Sequence, residues 1–118
     1  MIKPNLLQNI KKALSALAEK CNFTEDQLAV DYSLDLDDEL YDELRKLALI
    51  SQALQKALAD GDMIAVKAAL ILSRIYTMNL RNFFSDIFDD IESIGWSNNY
   101  SWPEIPEGYQ LPEKYLPS

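Results

Sequence analysis

The segment from Met63 to about Ile94 constrains this chain most, because it is spaced as one long helix whose apolar side does not stay on one line. At 1.5 Å per residue such a helix would be ~48 Å long. Its first half carries Ile64, Ala68, Ile71, Ile75 and Met78 at helical spacing, with Lys67, Arg74 and Arg81 on a separate basic row. Its second half carries Leu80, Phe84, Ile87, Ile91 and Ile94. Continued at its own rhythm, the first stripe reaches Asn82, Ser85 and Asp89, so the second is displaced by two residues, about 200° around the axis. Either the helix kinks between Asn79 and Asn82 so that both stripes face one core, or it stays straight and its distal half shows aromatic surface to something else.

The elements before it are also helical. Asn5 is placed to cap a helix with apolar residues at Leu7, Ile10, Leu14, Leu17 and Cys21, while Lys3, Lys11, Lys12 and Lys20 lie off that stripe. Thr24 to Gln27, "TEDQ", has the form of a capping box and starts a short helix or a turn. Asp35 can cap the next helix, with Asp37, Asp38 and Glu39 at the positive end of its dipole and leucines at 36, 40, 44, 47, 54 and 58. "DGD" at 60–62 stops that helix and lets Asp62 cap the long one, which predicts a tight helical hairpin. The expected fold is all-α: an antiparallel three- to four-helix bundle over residues 1–95.

Residues 96–118 change character. They hold four of the five prolines, both tryptophans and three of the six tyrosines, without helical period. Proline favours extended backbone here, and this density of aromatics predicts a docked tail, either on its own bundle or on a partner.

Charge and composition narrow the function. The net charge is −8, with nine acidic and no basic residues from Thr24 to Leu44, and seven acidic and no basic residues from Asn82 to Glu113. Direct nucleic-acid binding needs a basic footprint that is not concentrated here. There is no histidine, no glycine-rich phosphate loop, and a single cysteine, Cys21, which is expected in the core. The best metal candidate, Asp31, Ser33, Asp35, Asp37, Glu39 and Asp42, has calcium-loop spacing, but Leu36 stands where glycine must turn the loop and Asp42 where a bidentate Glu belongs. We therefore expect no catalytic, cofactor or metal site. With no unbroken apolar run of ~18–20 residues, we also expect no membrane span and a cytoplasmic location.

The positive expectation is a non-catalytic protein–protein interaction module: an adaptor, regulatory or assembly subunit. Its partner would carry a basic or mixed basic and apolar surface, and a homodimer is one version. The residues expected to bind are Phe83, Phe84, Asp86, Ile87, Phe88, Asp89, Asp90 and Ile91 on the third helix, with Trp96, Trp102 and Tyr109 from the tail. Asp86, Asp89, Asp90 and Glu92 stand near the negative end of that helix's dipole, each at a cost of ~0.3–1 kcal/mol that a cationic partner would remove. The alternative is an acidic inhibitor, such as an immunity protein, an antitoxin or a nucleic-acid mimic, covering a basic site.

Overall fold

The computed structural model describes residues 5–117, so Lys3 lies outside the described residues. The chain is all-helical, with no strand among them: α1 (Gln8–Lys20), α2 (Leu36–Ala59) and α3 (Met63–Trp96), plus 3₁₀ turns at Glu25–Gln27 and Glu113–Tyr115.

Local chemistry sets most of these boundaries. The Asp35 carboxylate accepts from Asp38 N–H at 3.1 Å and Asp62 from Ala65 N–H at 3.1 Å, so both predicted caps form. Between them, Gly61 N–H donates to the Leu58 carbonyl and Asp62 N–H to the Ala57 carbonyl, which ends α2 in a Schellman motif. Gly61 takes φ +70° there, a left-handed conformation that glycine adopts without penalty. The end of α1 repeats the motif with Asn22 at φ 66°. In "TEDQ" the Gln27 side chain accepts from Thr24 N–H at 2.9 Å, and the segment forms a single 3₁₀ turn.

The start of α1 departs from expectation. Asn5 does not cap it; Leu7 stands at the cap position without a side-chain bond, and the Asp37 carboxylate, from the first turn of α2, accepts from the Leu6 and Leu7 N–H groups at 2.9 and 3.0 Å. A carboxylate suits the positive end of the α1 dipole, and this contact ties the beginning of one helix to the beginning of another. Asp37 is buried there.

α3 is one unbroken helix, and its packed side does not rotate. Val66, Ala69, Ser73, Tyr76, Leu80, Phe83, Ile87, Asp90 and Ile94 alternate three- and four-residue steps, and every one is buried or half-buried. Leu36, Leu40, Glu43, Leu47, Ile50, Leu54 and Ala57 do the same on α2. These two seven-residue repeats form the seam of an antiparallel hairpin, in which Asn79 donates to Glu43 at 3.2 Å. The expected first stripe of α3 is therefore corrected. Ile64, Ala68, Ile71, Ile75 and Met78 are all exposed, Ile64 at 86%, and they lie roughly opposite the seam.

The core sits at one end. Leu14 and Ala18 of α1 and Cys21 at its C-cap pack with Ile87 and Ile94 of α3, flanked by Phe23, Leu28, Val30, Tyr32, Phe83 and Tyr100. Beyond this end the hairpin projects as a two-helix arm, with no third layer among the described residues. The molecule measures 60 × 36 × 31 Å with a radius of gyration of 19.6 Å. A compact chain of this length would have about 13.5 Å.

Candidate functional site

One carboxylate of the acidic set at the end of α3 behaves differently from the rest. Asp90 is almost fully buried and accepts three hydrogen bonds, from Ala29 N–H at 2.7 Å, Val30 N–H at 3.0 Å and the Tyr32 hydroxyl at 2.8 Å. It pins the 28–32 segment across the core. Burial, and then the bond to Asp90, push the Tyr32 hydroxyl well above the usual tyrosine range. Ile87 is interior as well. Neither Asp90 nor Ile87 is presented to a partner, and Phe83 is half-buried, edge-on to Phe84 with ring centroids 5.2 Å apart.

What remains outside is a mixed strip. Phe84, Phe88 and Ile91 are exposed at 50%, 57% and 38%, and Asp86, Asp89 and Glu92 are exposed on the same turns. Counted in sevens, Phe84 and Ile91 continue the row begun by Met63 and Leu70, next to the basic row of Lys67, Arg74 and Arg81 that Phe88 extends. The outward side of α3 is thus apolar for much of its length, basic in its first half and acidic at its end.

The tail divides at Pro103. Tyr100 packs on the core margin, edge-on to Trp102 at 4.9 Å, and the Trp102 indole N–H donates to the Ile94 carbonyl at 3.0 Å. This bond satisfies one of the carbonyls left open at the end of α3, where no basic residue stands in the last turn. Residues 103–117 are exposed apart from Pro112, with Tyr109 more than half exposed and a turn at Pro106–Tyr109 in which Gly108 takes φ 75°. Trp96, the last residue of α3, is 78% exposed.

One further concavity lies over α1 and the 23–33 segment, an open depression of about 890 Å³ lined in part by Glu19, Phe23, Glu25, Asp31, Tyr32 and Ser33. It supplies acids without a cation. The Asp31 carboxyl is held below its usual range by the hydroxyl and N–H of Ser33, which both donate to it. Of the calcium-like series, Asp35 caps α2 and Asp37 faces α1, so those acids do not converge. Among the described residues no group of three or more His, Cys, Asp or Glu is arranged to hold a metal ion.

By length and composition only, α3 is apolar enough to cross a bilayer, and little of that stretch is buried. Its neighbour α2 carries charges along its outer faces.

Sequence reasoning missed the roles of Asp37, Asp90 and Tyr32. The two carboxylates accept from backbone N–H groups 30 and 61 residues away, and the Tyr32 hydroxyl donates to Asp90 across 58 residues, which leaves no local spacing to read. No family model, curated protein or solved structure matches this chain.

Proposed function

We propose that the chain is a non-catalytic protein–protein interaction module, an antiparallel helical unit that binds through the distal end of α3 and the exposed part of its tail. The observation supporting this is the strip Phe84, Phe88 and Ile91, three large apolar side chains left half in water on a helix that already buries Ile87, Asp90 and Ile94. A helix apolar beyond its packed row is one that something else covers. The neighbouring Asp86, Asp89 and Glu92 favour a partner with lysine or arginine around an apolar centre. Trp96 and Tyr109 add exposed aromatic surface of the kind that anchors interfaces.

The test is paired capture followed by direct binding. Wild type, Phe88→Ala, Asp86→Lys/Asp89→Lys, and a chain ending at Pro103 are compared against the partner that wild type retains. Ending at Pro103 keeps Tyr100 and Trp102 on the core, so a loss there reads the tail rather than unfolding. The proposal expects Phe88→Ala to weaken binding at least tenfold, with little change in that binding between low and high salt. Unchanged binding by all three variants would refute it. A steep fall with salt and loss only in the charge variant would favour the acidic inhibitor instead.

A further inference from the structure

We propose that the projecting arm is a homodimerisation surface, on which a second copy of this chain docks α3 against α3. This concerns the arm and not the distal end or tail, so it stands or fails independently of the partner binding described above.

α3 packs one side on α2, and the side roughly opposite is apolar and unused, which is the pattern of a helix that a further layer covers. On the arm, Leu58, Met63, Ile64, Leu70, Ile71 and Met78 are exposed at 41–86%, on turns that α1 does not reach. On α3, Ile64, Ile71 and Met78 share one exposed row with Ala68 and Ile75, alternating three- and four-residue steps, with Lys67 and Arg74 along its flank.

The face is self-complementary. A two-fold axis crossing α3 at Ile71 sets Ile71 opposite its own copy and Ile64 opposite Met78 of the second copy. The same axis carries the hairpin tip of each copy, Asp60-Gly61-Asp62, to the level of Arg81 in the other. Arg81 is exposed and has no carboxylate partner among the described residues. The tip then stops just short of α1, which lies against Ile87. A closed, isologous pair of this kind fills the missing layer in both copies at once.

The experiment is sedimentation equilibrium of the full chain from 1 to 100 µM. The expected result is a species of twice the 13.5 kDa chain mass. Leu70→Glu/Ile71→Glu should be monomeric with its helix content retained, and Phe88→Ala should remain dimeric. Arg81→Glu should weaken the dimer at least tenfold, and Asp60→Arg added to it should restore it. This charge exchange uses exposed positions, so it decides the matter even if the double glutamate variant does not fold. A wild-type monomer at 100 µM overturns the proposal, as does a dimer indifferent to all arm variants. Binding of wild type to anionic phosphatidylserine vesicles, abolished in Leu70→Glu/Ile71→Glu, also overturns it and assigns the face to a lipid surface.

Discussion

Replacing Asp90 by alanine tests the internal logic of the fold at its most loaded point. The substitution strands two backbone N–H groups and one tyrosine hydroxyl, all of which now donate to a carboxylate that is 1% exposed. Bonds to a charged acceptor contribute ~1.5–3 kcal/mol each, and part of that returns when the 28–32 segment lifts and its amides find water. The expected loss is about 3–5 kcal/mol, against a total of ~5–15 for a domain. With a urea slope of ~1.5 kcal/mol/M the midpoint falls by ~2–3 M at a fixed protein concentration. Tyr32→Phe alone removes one bond and should cost ~1–2 kcal/mol. In the double variant it should add less than ~0.5 kcal/mol, because the bond is already gone. The reasoning is wrong if Asp90→Ala unfolds within ~0.5 kcal/mol of wild type, or if the two changes add fully.

Three smaller outcomes follow from the same contacts. Tyr32 holds its proton more tightly folded than unfolded, so its contribution is complete below the ordinary tyrosine value of ~10 and is lost as pH climbs above it, by less than ~1.4 kcal/mol per pH unit because part of the ring meets water. Urea midpoints from pH 8 to 11.5 should fall less steeply in Tyr32→Phe; equal slopes would contradict this. Asp37→Ala should cost ~1–2 kcal/mol and speed amide exchange in the first turn of α1, leaving the hairpin amides unchanged. Gly61→Ala should cost ~1 kcal/mol through its positive φ alone, since nothing crowds a Cβ there, and Gly61→Asn should cost less in thermal melts.

Much of the fold was legible because it is written in local chemistry. Asp35, Asp62, the Thr24–Gln27 box and the Asp60–Asp62 turn each act within four residues of themselves, and each was read correctly. Cys21 fell on the α1 stripe and is buried. The choice of side on α3 was not legible from hydrophobicity. Its first half is apolar on two sides, and the greasier one, Ile64 to Met78, is the outer one. The packed side there includes Ser73 and Tyr76, which look less like core. Stepping back in sevens from Ile87 and Ile94, through Leu80 and Ser73 to Val66, would have found it. At the distal end the acids looked alike in sequence. Only the fold separates Asp90, turned inward to loop amides, from Asp86, Asp89 and Glu92, which stay in water.

The measurement that bears most directly on this account is the distance between spin labels at positions 63 and 96, in a chain carrying Cys21→Ser. An unbroken α3 keeping one side on α2 and turning the other outward predicts ~50 Å between these backbone positions. A distance below ~35 Å would mean that the helix bends near Asn79 and folds both apolar sides onto one core. The outward surface, and every proposal built on it, would then be lost.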